Sequence, residues 1–253
     1  MVGDINLEDV TFRYGTRAII FEHLNLTIKK GKITAIVGES GSGKSTLISL
    51  LQNLYPLKNG RVSIGDFDIQ HLSNESLRKL VSVVPQQIHL FAATVLENIA
   101  LGEFEPDMKK ILYYARKLGI HEFIEELPNG YVTELTENGN NLSGGQRQRL
   151  AILRALYREP EIIIFDEATS SLDTISEQYV QDTIKSLCAV GKTVVLIAHR
   201  LSTVREADEI IVVHKGKVIE KGTHDTLLVE KGQYASLWSQ QSGVAVFETN
   251  HIN

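Results

Sequence analysis

The sequence predicts an α/β fold: a largely parallel core sheet, some antiparallel strand on the N-terminal side, and a helical insertion in mid-chain. Three observations predict it. Residues 33–37, 162–165 and 194–197 are short, uninterrupted apolar runs, the pattern of central strands buried on both faces. The first run meets a glycine-rich loop at Gly38 and then a breaker-free apolar segment at 47–54, so strand, loop and helix follow one another as a βα unit. Between about residues 88 and 158 the pattern is mostly helical, punctuated by Gly119, Pro128-Asn129-Gly130 and Asn138-Gly139.

The elements follow in order. Residues 5–14 alternate apolar and polar side chains over much of their length, which reads as a half-buried strand ending in a turn at Gly15. A second alternating piece, 24–28, runs into the turn Lys29-Lys30-Gly31-Lys32. After the strand at 33–37 and the helix at 47–54, Pro56 and the pair Asn59-Gly60 predict a turn that closes the unit. Residues 147–158 read as a helix. Further on, 210–213 leads through Lys215-Gly216 into Lys217-Val218-Ile219, a hairpin pattern. No internal repeat or low-complexity tract interrupts this order.

Composition narrows the function classes. At about 150 residues per domain, 253 residues make one or two domains. A hydrophobic fraction of 43% and a charged fraction of 23% are ordinary for a globular chain. The net charge of −5 disfavours wrapping a phosphate backbone, so no nucleic-acid partner is expected. The single cysteine, Cys188, cannot form an internal disulfide, which fits a reducing compartment, and no Cys/His cluster points to zinc. No run approaches the roughly 18 apolar residues of a membrane span. The start, Met1-Val2-Gly3-Asp4, lacks the apolar stretch of a secretory signal.

Three strings carry chemistry. Gly38-Glu39-Ser40-Gly41-Ser42-Gly43-Lys44-Ser45, followed by Thr46, fits G-x-x-x-x-G-K-[ST]. Its glycines let backbone N–H groups turn toward phosphate oxygens, and the helix that follows adds its positive end. Lys44 then supplies a charge between the β- and γ-phosphates, and the Ser45 hydroxyl a ligand for Mg²⁺. The second string is the apolar run 162–165 ending in Asp166 and Glu167. Asp166 suits a metal held through water, and Glu167 suits a base that orients the attacking water. The third is Leu142-Ser143-Gly144-Gly145-Gln146, in which Ser143 is a natural N-cap and the glycines expose the first N–H groups of a helix.

With these strings in this order, the chain resembles the nucleotide-binding domain of ABC transporters over about residues 4–240. The resemblance implies a P-loop NTPase, RecA-like core with an antiparallel β subdomain and an inserted α-helical subdomain. It divides the chain into 1–87, ATP-binding core with the antiparallel part; 88–160, helical subdomain carrying the signature; and 161–253, core continued with C-terminal helices. Walker A is then 38–45, the signature 142–146, and Walker B 162–166 followed by Glu167. The family's A-loop aromatic matches Tyr14, expected to stack on adenine. Its Q-loop glutamine matches Gln86, expected near Mg²⁺ and the water. The D-loop matches Ser170-Ser171-Leu172-Asp173, and the switch histidine matches His199, expected to touch the γ-phosphate and Glu167.

The implied cofactors are ATP and Mg²⁺. The implied assembly is an ATP-dependent head-to-tail homodimer in which Ser143, Gly145 and Gln146 of one copy face the γ-phosphate on Lys44 of the other, with Asp173 near the seam. Phe91-Ala92-Ala93-Thr94-Val95-Leu96-Glu97-Asn98-Ile99 and Thr133-Glu134-Leu135-Thr136-Glu137-Asn138-Gly139 are similar to exporter segments, although Thr136 stands where glycine is typical and Asn138 where a basic residue is common. The resemblance is to bacterial peptide, bacteriocin and toxin exporters. It implies a transmembrane domain, separate or excised from the same polypeptide, and a place on the cytoplasmic face of the inner membrane. The competing readings are a soluble ABC-type clamp, a phosphotransferase and a non-hydrolysing scaffold. The acidic charge argues against the first, the 142–146 string against the second, and Glu167 with His199 against the third.

Overall fold

A computed structural model describes residues 3–168, 172–198 and 204–242. In chain order come β1 (Ile5–Phe12), β2 (Phe21–Ile28), β3 (Ile33–Val37), α1 (Lys44–Leu51), β4 (Asn59–Ile64), the two-residue β5 (Phe67–Asp68), α2 (Asn74–Leu80) and β6 (Val81–Val84). The helical stretch is α3 (Val95–Ile99), α4 (Met108–Lys117), α5 (His121–Glu125) and α6 (Gly144–Tyr157). Then follow β7 (Ile162–Asp166), α7 (Thr174–Ala189), β8 (Thr193–Ile197), β9 (Glu209–His214), β10 (Lys217–Gly222), α8 (His224–Glu230) and α9 (Gln233–Ser242). The fold is mixed α/β, a RecA-like core with an antiparallel sheet and helical insertions, as the apolar runs predict. The chain forms two compact units, residues 1–77 with 195–253, and residues 78–194.

The first unit holds an antiparallel sheet in the order β2-β1-β4-β5. Leu7, Val10, Phe12, Phe21, Leu26, Ile28, Val62 and Ile64 are buried, which explains the alternating pattern of β1 and β2. The same unit contains strands in the order β10-β9-β3, with β3 parallel to β9 and β9 antiparallel to β10. The predicted hairpin is present. Lys215 and Gly216 both have positive φ, 47° and 73°, the pair of left-handed residues that a tight hairpin turn requires. The Gly216 N–H donates to the Ser42 carbonyl at 3.0 Å, so this turn braces the glycine-rich loop.

Two local expectations are corrected. Asn59-Gly60 is not a turn; it begins β4. Gly60 has φ +82°, and a Cβ there would lie 2.4 Å from the carbonyl oxygens of Glu8 and Asp9. The β1–β4 register shifts between Glu8 and Thr11, so the glycine marks a bulge where the two backbones crowd. The first helix starts at Lys44, before the predicted residue 47, and ends at Leu51 rather than 54. Asn53 has φ 52° and its N–H bonds to the Leu50 carbonyl, a left-handed stop of the kind asparagine tolerates.

In the second unit β6 and β7 run parallel in the register Val81↔Ile162 to Val84↔Phe165. Ile162, Ile163 and Ile164 are fully buried. Each contributes roughly 1.5–3 kcal/mol relative to an exposed side chain. Helices α3 to α6 form the mostly helical stretch, and one-turn 3₁₀ segments at 130–132 and 137–139 fall at two of the predicted breaks. Among the described residues no helix is long and apolar enough to cross a membrane.

Candidate active site

In the first unit, β3 delivers the chain into the loop 38–43 and α1 leaves it at Lys44. Glycine at 38 is a steric necessity. Its φ is +155°, and a Cβ would sit 2.1 Å from the Val213 carbonyl oxygen of β9. Gly43, φ +111°, would press a Cβ to 2.9 Å from the Phe21 ring. Gly41 also has positive φ, +79°, yet a Cβ there would meet nothing within 4 Å. The loop is therefore pinned at both ends and open in the middle.

Lys44 is 6% exposed, and its Nζ donates to the Gly38 and Glu39 carbonyls, each at 2.8 Å, and to Ser42 Oγ at 3.5 Å. The ammonium is thus folded onto the loop it belongs to. Ser42 and Thr46 are buried, while Ser40 and Ser45 are exposed. Tyr14 is half-buried, and its hydroxyl donates to Thr46 Oγ1 at 3.4 Å, linking the A-loop candidate to α1. Tyr14 lines a pocket of about 580 Å³ with Gly15, Thr16, Arg17 and Tyr55.

In the second unit the parallel register accounts for a contact that sequence reading missed. Val84 pairs with Phe165, so the residues two further on, Gln86 and Glu167, emerge at the same strand edge. Gln86 Nε2 donates to Glu167 Oε2 at 2.5 Å. Glu167 itself has φ 51°, a left-handed conformation unusual for a residue with a side chain. Such strain costs on the order of 1–3 kcal/mol and gathers at functional positions. Asp166 closes β7 immediately before it, and both acids are partly exposed. His199, Ser170 and Ser171 lie outside the described residues.

Ser143 is the N-cap of α6, as predicted, and forms a complete capping box: Ser143 Oγ accepts the Gln146 N–H at 3.2 Å, and Gln146 Oε1 accepts the Ser143 N–H at 2.7 Å. With Gln146 N–H satisfied in this way, the N–H groups of Gly144 and Gly145 are the ones a helix start leaves without an intrahelical acceptor. Asp173 caps α7, accepting the Ser176 N–H at 2.9 Å and hydroxyl at 2.7 Å, and those two bonds hold its carboxyl below the usual range. A Cβ built on Gly145 would lie 3.7 Å from Asp173 Oδ2, so the caps of α6 and α7 are neighbours.

Three arginines make α6 a hub, which motif reading did not reveal. Arg147 Nη1 donates to the Leu142 and Gly139 carbonyls at 2.7 and 3.3 Å. Arg149 Nη1 donates to the Gly119 carbonyl at 2.5 Å. Arg154 donates to the Asn98 carbonyl at 2.7 Å, to Asn98 Oδ1 at 2.9 Å and to the His89 carbonyl at 2.9 Å. The fully buried Asn98 in turn binds the Phe91 backbone through both its N–H and its carbonyl. The helix that begins at Ser143 therefore grips the segment that follows Gln86. The seven-residue spacing of Arg147 and Arg154 on one helix face was the available signal.

Which residues fit a metal is a matter of donor chemistry: a hydroxyl at Ser45, an amide at Gln86 and a carboxylate at Asp166 are hard oxygen donors of the kind Mg²⁺ takes. Among the described residues no group of three His, Cys, Asp or Glu side chains forms a dedicated metal cluster.

A mixed α/β fold with these three motifs defines a P-loop ATP-binding domain. A family described as ABC transporter matches residues 21–170, and the chain belongs to it. The ATP-dependent lipid A-core flippase of Chromohalobacter salexigens is 47% identical over 240 residues, covering 94% of this chain and 41% of that protein. The alpha-hemolysin translocation ATP-binding protein HlyB of Escherichia coli is 46% identical over 242 residues, covering 95% of this chain and 34% of that protein. The leukotoxin translocation ATP-binding protein LktB of Mannheimia glucosida is 48% identical, again over 34% of its own length. A solved structure of a bacterial Atm1-family ABC exporter with ATP bound superposes with a TM-score of 0.91 at 39% identity, covering 95% of this chain and 42% of that one. The chain thus spans less than half the length of these relatives.

Proposed function

We propose that the chain is the ATP-binding and hydrolysing part of an ABC exporter, working as a head-to-tail pair that closes on two ATP molecules. The observation that carries this is the strained Glu167 at the end of a buried strand, held by Gln86, in a chain whose phosphate loop is pinned at Gly38 and Gly43. In this reading Tyr14 stacks on adenine, and the N–H groups of 38–46 cradle the phosphates. Lys44 moves its ammonium from the loop carbonyls to the γ-phosphate. Ser45, Asp166 and Gln86 would hold Mg²⁺, which when bound would neutralise charge on the phosphate oxygens.

Glu167 accepts the proton of the attacking water, and its bond to Gln86 orients the carboxylate. Ser143, Gly145 and Gln146 of the second copy complete the pocket with a hydroxyl and a helix N-terminus, and Asp173 holds the adjoining loop. His199 donates to the γ-phosphate. Hydrolysis removes the group that both halves bind, and the pair reopens. The transmembrane part of the exporter converts this closing and opening into transport at the cytoplasmic face of the membrane. It also carries the cargo site, so the lipid A-core, hemolysin and leukotoxin of the relatives' names do not fix the cargo here. A peptide or toxin cargo is the reading that the exporter-like segments 91–99 and 133–139 favour.

The test is phosphate release by the 253-residue chain from Mg-ATP with no acceptor present. Steady release supports the ATPase reading. Transfer only to an added acceptor, with no release to water, overturns it in favour of a phosphotransferase.

A further inference from the structure

We propose that Tyr55 is a positioning residue that strengthens base binding in the nucleotide pocket by holding the Tyr14 ring at its stacking angle. The proposal rests on the reading of Tyr14 as the base platform. Tyr14 meets two other rings edge-on: Phe12 at 4.9 Å between centroids with an interplanar angle of 86°, and Tyr55 at 5.0 Å with 87°. Phe12 and Tyr55 themselves lie 6.2 Å apart, so the three rings form one cluster. Phe12 is buried and belongs to β1; it is scaffold. Tyr55 is different. It is 45% exposed, and it lines the pocket beside Tyr14 and Arg17.

The backbone around Tyr55 is fixed rather than loose. The Leu54 N–H donates to the Ser49 carbonyl at 3.0 Å, Asn53 Nδ2 to the Ile69 carbonyl at 3.2 Å, and the Lys58 N–H to the Thr11 carbonyl at 3.0 Å. The segment is thereby tied to α1 behind it and to β1 beside it. Tyr14 is tied to α1 as well, through Thr46. The aromatic wall and the phosphate loop are therefore mounted on the same helix, Tyr14 through Thr46 in its first turn and Tyr55 just past its last. A half-exposed aromatic ring held this firmly beside a concavity suits a flat, apolar, π-bearing ligand group. Within a nucleoside triphosphate that group is the base.

Edge-to-face contacts of this kind change a binding constant by about 2- to 10-fold. Calorimetric titration of the 253-residue chain, in Mg²⁺, with ATP and separately with inorganic triphosphate isolates the base from the phosphates. Tyr55→Ala and Tyr55→Leu should weaken ATP by that factor and leave triphosphate unchanged, while Tyr55→Phe, which keeps the ring, should restore ATP affinity. An unchanged ATP-to-triphosphate ratio in Tyr55→Ala overturns the proposal, and so does an equal loss for both ligands, which a merely structural role would give. If the unmutated chain binds ATP and triphosphate equally, the platform role of Tyr14 fails first and the proposal falls with it.

Discussion

Replacing Glu167 by glutamine lowers ATP turnover by about 10²- to 10⁴-fold, the usual contribution of a positioned general base. The amide keeps the shape of the carboxylate and one acceptor oxygen. Gln86 Nε2 can still donate to the side-chain oxygen that it now meets at 2.5 Å, so the strand edge is preserved. What is lost is the capacity to take a proton from water. Nucleotide binding depends on the loop 38–46 and stays intact, and this split separates a catalytic role for Glu167 from a structural one. A coupled phosphate assay beside a nucleotide-binding titration reads both. Loss of binding together with turnover would assign Glu167 to the architecture instead.

Placing glutamate at Ser143 abolishes turnover by a different route. The substitution keeps a side-chain oxygen at the N-cap and puts an acid at the positive end of α6, so the helix loses little. The new charge would stand where the γ-phosphate held by the other copy must come. Two like charges about 4 Å apart repel by about 4 kcal/mol at an effective dielectric constant of 20. That is about a thousandfold weaker closure of the pair. Binding of ATP to a single copy, which uses Tyr14 and Lys44, should be unaltered. Turnover equal to that of the unmutated chain would remove the second copy from the mechanism.

The parts of this account that were legible in the sequence are those where one residue type has one physical use. Residues 33–37 and 162–165 suit buried strands, and Lys215-Gly216 between apolar runs suits a tight turn. The N-cap Ser143 was visible for the same reason. Asn59-Gly60 misled because glycine with positive φ serves a bulge as well as a turn, and only the crowding of β4 on β1 distinguishes them. The Gln86–Glu167 bond was invisible because it depends on the register of two strands whose partner residues are 81 apart in the chain. Tyr55 belongs to no motif; its meaning comes from the two rings it meets. The arginines of α6 bind mostly backbone carbonyls, acceptors that every residue has, so no sequence pattern marks most of their partners.

The central claim is that two copies close on ATP, and the mass of the particle in solution tests it most directly. Glu167→Gln holds the nucleotide without consuming it. By light scattering the variant should have the chain's own mass, 28.2 kDa, without nucleotide. With Mg-ATP it should shift to about twice that, as two half-sites that share one γ-phosphate require. A mass that stays at 28.2 kDa while bound ATP is verified on the same sample would contradict the account.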